Sequence, residues 1–134
     1  MIGKRFLVVS DDRVLVEFVR KNAGGQVLQM RFPRAEGRQL TATVCEEHPD
    51  LVVVDIMMPW MDGIGLSLRL RQSTDVPVML LSAWGAGKNR VRGLDLSAES
   101  YLTEPYDGGE LSERIEEALR RNGMRAEVVT SAAS

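Results

Sequence analysis

Four apolar runs in this chain lead directly into residues that can do chemistry. "RFLVV" (5–9) is followed by Ser10, Asp11 and Asp12, and "LVVVD" (51–55) ends on Asp55. "VPVMLLS" (76–82) ends on Ser82, and "SYLT" (100–103) runs into Glu104 and Pro105. One carboxylate at such a place is commonplace. Two or three on one rim are not, because unit charges 4 Å apart repel by about 4 kcal/mol at an effective dielectric of about 20. A hard divalent cation offsets that repulsion. Mg²⁺ is the usual one, since it takes oxygen ligands and keeps several waters. The residue types therefore point to cation-assisted chemistry on oxygen, provided the fold brings these residues to one rim.

The runs themselves say how that happens. They are nearly continuous in apolar residues, which is how strands buried on both faces read. "QVLQM" (26–30) is a weaker strand candidate. Between the strands lie helix-like stretches at 12–24, 37–47, 63–73, 89–98 and 108–123. The first places Leu15, Phe18 and Val19 on one face, the second Leu40 and Val44, the third Leu66 and Leu70. The fourth offers Val91, Leu94 and Leu96 but carries Gly93, and the fifth sets Leu111, Ile115 and Leu119 inward. A β-α unit repeated five times predicts an α/β fold: a doubly wound parallel five-stranded sheet with right-handed crossovers. In such sheets ligands bind outside the carboxyl ends of the strands. Residues 1–122 form the expected domain, and 123–134 read as a flexible tail or the start of a linker.

Composition excludes several classes. The 134 residues carry 17 basic and 19 acidic side chains, with no basic excess to favour direct nucleic-acid binding. No stretch is long and apolar enough to span a membrane, and "MIGKRFLVVSDD" does not read as a secretory signal. One cysteine, Cys45, rules out an internal disulfide and suits a cytoplasmic setting. With a single histidine, His48, it is too little for a Cys/His metal site; both read as helix and helix-end residues.

"LVVSDD", "DLVVVDIMMPWMDGIGL", "VPVMLLSA" and "GLDLSAESYLTEPYDGGEL" together resemble the bacterial response-regulator receiver domain of two-component signalling, over about residues 5–121. The flavour is that of the winged-helix transcription-factor subfamily. The resemblance implies the flavodoxin-like strand order 2-1-3-4-5. It implies that Asp55 accepts a phosphoryl group from a histidine kinase, and that Asp11, Asp55 and the Met57 backbone carbonyl hold Mg²⁺. It makes Ser82 the hydroxyl that meets the phosphoryl group and Tyr101 the switch aromatic that follows it. The fourth helix, fifth strand and fifth helix would form a homodimer face. An output domain or downstream protein would receive the signal. Met57 and Trp84 would flank the phosphorylation site and restrict attacking water.

Two positions depart from the family pattern. A second acid usually precedes the one matched by Asp11; here it is Ser10. Ser10 or Asp12 would then contact the metal through water, although Asp12 also suits the N-cap of the first helix. The family's lysine before the fifth-strand proline is Glu104, which reverses the charge. Two readings stay open: a phosphorylatable receiver with an altered switch, or a pseudo-receiver that works as a phosphorylation-independent interaction module. A free-standing enzyme fits less well. An aspartate-based phosphatase wants a second Asp two residues after the nucleophile, where Met57 stands.

Overall fold

The computed structural model describes residues 3–31, 37–57, 63–84, 89–95 and 105–133. In chain order the elements are β1 (Arg5–Val9), α1 (Arg13–Ala23), β2 (Gln26–Met30), α2 (Gly37–Glu47), β3 (Leu51–Asp55), α3 (Gly63–Ser73), β4 (Val78–Trp84), β5 (Arg90–Asp95) and α4 (Gly108–Ala133). The strands form a single sheet in the order β2-β1-β3-β4-β5. The first four are parallel.

Alternation along each strand splits the core into two layers, as a doubly wound sheet requires. On one face Phe6, Val8, Leu51, Val53, Met79 and Leu81 pack against Leu15, Val16 and Val19 of α1 and Leu111, Ile115 and Ala118 of α4. On the other face Leu7, Val9, Val52, Val54, Val78 and Leu80 meet Leu40 and Val44 of α2 and Leu66 and Leu70 of α3. β3 is buried along its whole length. That is why "LVVVD" has no polar alternation until its last residue.

The helix ends are chemically explicit. Asp12 caps α1 by accepting from the Val14 and Leu15 N–H groups, and Gly24 closes that helix in the left-handed region at φ 74°. His48 takes the same left-handed geometry after α2, with φ 49°, immediately before Pro49. Asp107 caps α4 through the Glu110 N–H, at 2.9 Å.

Two expectations are corrected. The stretch expected as a fourth helix, 89–98, instead contributes β5, which runs antiparallel to β4 in the register Leu81↔Gly93 and Ser82↔Arg92. The sheet is therefore mixed. The strand expected at 100–103 lies outside the described residues, as do Tyr101 and Glu104. The reason β5 is a strand is packing. Glycine costs about 1 kcal/mol in a helix interior. In the strand, Gly93 lets Leu81 and the Tyr106 ring close over it; a Cβ there would sit 2.9 Å from Leu81 Cδ2 and 3.1 Å from Tyr106 Cε2. Val91 and Tyr106 also exchange two backbone hydrogen bonds, of 3.0 and 2.7 Å. Helical periodicity over ten residues loses to these contacts. Second, the last helix, expected to end at 123, runs on to Ala133. The stretch contains no proline, and Gly123 alone does not stop a helix flanked by good helix formers.

Gly93→Ala should destabilise the chain by about 1–3 kcal/mol, because the added methyl overpacks a closed site. Thermal unfolding checks this. A gain of about 1 kcal/mol, as a helical position would give, contradicts the strand.

Candidate phosphoacceptor site

The parallel register sets the C-terminal rim. Val9 pairs with Val54, and Asp55 pairs with Leu81, so Ser10 follows the end of β1, Asp55 ends β3, and Ser82 lies within β4 one residue beyond the partner of Asp55. Asp55 is 4% exposed, Ser82 8%, and Ser10 is fully buried. A carboxylate so buried needs partners. Asp55 has one on each oxygen. Oδ1 accepts from the Met57 backbone N–H at 2.8 Å, and Oδ2 accepts from the Ser10 hydroxyl at 2.8 Å.

Ser10 is itself tied in on three sides. Its Oγ accepts from the Asp12 N–H at 2.9 Å, its carbonyl accepts from Gln29 Nε2 at 2.8 Å, and its N–H donates to the Met30 carbonyl at 3.2 Å. Asp12 spends Oδ1 on the α1 N-terminus. Asp11 faces outward and forms an ion pair with Arg31 at 3.6 Å, with the two side chains 38% and 70% exposed. A pair that open contributes little to stability.

Burial pushes the Asp55 carboxyl above the ordinary aspartate range. The Met57 N–H and the Ser10 hydroxyl pull it back part-way, while the charges of Asp12 and Asp11 push it up. Two neighbouring carboxylates thus act on Asp55 in the sense that a cation would relieve.

The sequence-expected residues sort themselves clearly. Asp55, Ser10, Asp12 and Met57 are joined by hydrogen bonds, Asp11 adds its charge, and Ser82 follows directly on the register partner of Asp55. Met57 stands at the edge with 70% of its surface exposed. Asp12 serves as the α1 cap, and Ser10 binds Asp55 directly. Tyr101 and Glu104 lie outside the described residues, as does the Trp84 side chain. Sequence reasoning missed three contacts: the Met57 N–H on Asp55, the direct Ser10–Asp55 bond, and Gln29 bracing Ser10. Only the last left a signal, a polar residue inside the apolar β2 run.

Residues 6–116 match the response regulator receiver domain family. The chain belongs to that family. This receiver is 34% identical over 120 residues to a "Probable transcriptional regulator ycf27" of Cyanophora paradoxa, covering 90% of this chain and 50% of that protein. It is 33% identical over 129 residues to the "Phosphate regulon transcriptional regulatory protein PhoB" of Pseudomonas aeruginosa, covering 92% of this chain and 55% of that one. The receiver thus spans about half the length of these curated relatives. Among solved structures, the receiver domain of Francisella response regulator 1452 superposes with a TM-score of 0.60 at 25% identity, covering 89% of this chain and 98% of that one. Among the described residues, no helix is long and apolar enough to cross a membrane.

The donor set of the rim is all oxygen, which suits Mg²⁺. Among the described residues no three His, Cys, Asp or Glu side chains gather to hold a metal. Asp11 and Asp55 with a backbone carbonyl are nonetheless the kind of partial set that Mg²⁺ accepts while keeping its waters.

Burial of the Asp55 carboxyl makes stability depend on pH. The folded state binds a proton more readily than the unfolded one, so stability falls as pH rises from the ordinary aspartate value, about 3.9, through the folded one. Asp55→Asn should therefore stabilise the metal-free receiver at pH 7 and lose that advantage as pH falls towards 4. Urea unfolding at both pH values checks it; an advantage that grows on acidification contradicts it.

Proposed function

We propose that this receiver accepts a phosphoryl group on Asp55 from a partner histidine kinase and thereby switches a protein-interaction surface. The observation that carries the reading is the buried Asp55 carboxylate at the end of β3, fixed through both oxygens beside Asp11. The family match supports it; nothing in the comparisons favours a phosphorylation-independent module. In the transfer, an Asp55 oxygen attacks phosphorus, the P–N bond to the donor imidazole breaks, and the imidazole leaves with the bonding pair. Mg²⁺, held by Asp11, Asp55 and the Met57 carbonyl, would neutralise charge on the transferring group. The Met57 N–H and the Ser10 hydroxyl together orient the Asp55 carboxylate, one on each oxygen. In this reading Ser82 contacts the phosphoryl oxygens, Tyr101 follows its movement, and the receiver works in the cytoplasm upstream of an output domain or a downstream protein.

Glu104 sets how far the reaction goes. A charge about 5 Å away at an effective dielectric of about 20 is worth roughly 3 kcal/mol, and reversing its sign doubles that. A Glu104 carboxylate that points inward, in place of an ammonium, therefore disfavours the phosphorylated state.

Incubation with Mg²⁺ and phosphoramidate should yield a base-labile adduct that Asp55→Asn abolishes. No adduct on the folded native chain contradicts the reading and favours the phosphorylation-independent module. Glu104→Lys should raise the phosphorylated fraction at least about tenfold at limiting donor. An unchanged fraction would remove Glu104 from the account.

A further inference from the structure

The Ser10 hydroxyl has one proton and two acceptor lone pairs. The Asp12 N–H can only donate, so at 2.9 Å it takes an Oγ lone pair. Asp55 Oδ2, 2.8 Å away, then receives the Ser10 proton. The proton and one of the two lone pairs of this hydroxyl are committed within the protein, and the residue is completely buried. The other Asp55 oxygen already accepts from the Met57 N–H. A cation reaching Asp55 must therefore share an oxygen that already carries a donor.

We propose that Ser10 is a positioning residue that holds Asp55 Oδ2 in the cation-free state and competes with Mg²⁺ for it. The inference rests on the reading of this rim as the Mg²⁺-assisted phosphoacceptor site. Its geometry is clear. β1 and β3 are neighbours, Ser10 follows Val9, and Val9 pairs with Val54, so the hydroxyl reaches across one strand spacing to Asp55. Gln29 braces the Ser10 carbonyl from β2 and the Met30 carbonyl holds its N–H, so the Ser10 backbone is fixed and its hydroxyl leaves Asp55 by turning about χ1, which also breaks the contact with the Asp12 N–H. The Asp12 N–H contact couples the same oxygen to the start of α1, whose first free N–H groups Asp12 itself caps. An acid at position 10 would bring a second charge to the cation. Serine brings a neutral donor that satisfies the buried carboxylate without one. The receiver is thereby stable with an empty rim, and its affinity for Mg²⁺ is lowered.

Calorimetric titration of the full chain with MgCl₂ tests this, comparing native protein with Ser10→Ala, Ser10→Thr and Ser10→Cys, each confirmed as folded by its thermal transition. Competition predicts that Ser10→Ala binds Mg²⁺ about three- to tenfold more tightly, the range one hydrogen bond commands. Ser10→Thr, which keeps the hydroxyl, should return to the native affinity. Ser10→Cys, a weak donor, should fall between them. Equal or weaker binding by Ser10→Ala overturns the proposal, and weaker binding would instead make Ser10 a support for metal-bound water. The same samples treated with phosphoramidate separate this inference from the one beneath it. If Ser10→Ala gains Mg²⁺ affinity but no variant forms an adduct, the phosphoacceptor reading fails and the positioning role stands. If adducts form but Mg²⁺ affinity ignores position 10, the reverse holds.

Discussion

A carboxylate held almost out of reach of water at the end of a central strand is the constraint on which the rest of this receiver turns. Burial disfavours its charge, two neighbouring aspartates disfavour it further, and among the described residues two hydrogen bonds act in its favour. Each of those bonds depends on something larger. The Met57 N–H depends on the chain turning sharply after β3, and the Ser10 hydroxyl depends on β1 lying beside β3 in one particular register. The apolar layers on both faces of the sheet fix that register, because a slip of one residue would turn every core side chain to the other face.

The rim also explains how two departures from the family pattern act together. Ser10 removes a negative charge from beside the nucleophile, and Glu104 puts one where a positive charge is usual. On the proposed reading, Ser10 eases the repulsion around Asp55 and weakens the pull on a cation, and Glu104 opposes the phosphorylated state. Asp55, Asp11 and Ser82 stand at the positions that reading assigns to the nucleophile, the metal-binding acid and the phosphoryl-contacting hydroxyl.

Much of this was legible in the sequence. β1, α2, β3 and α3 begin and end where their apolar periodicity and flanking residues put them, because each has an unambiguous face and a neighbour of the expected kind. Asp11 and Asp55 stood out because they follow buried strands. β5 was not legible. Val91 and Leu94 fit helical spacing, and what overrides it is contact between Gly93, Leu81 and Tyr106, residues distant in sequence. α4 was underestimated because a lone glycine reads as a stop, although the surrounding residues sustain a helix. The Ser10 contact was missed for a related reason. A serine after a strand can bond to water, to its own backbone or across the sheet, and only the β1–β3 register decides for Asp55.

The most direct test of the account is a crystal structure of the receiver with Mg²⁺ and beryllium fluoride, which mimics the phosphoryl group. The account predicts the beryllium bonded to an Asp55 oxygen, the cation on Asp11, Asp55 and the Met57 carbonyl, and the Ser10 hydroxyl withdrawn from Oδ2 or sharing it at greater distance. A structure with Mg²⁺ bound elsewhere, or with Asp55 unmodified and still gripped by Ser10 at saturating reagent, would contradict it.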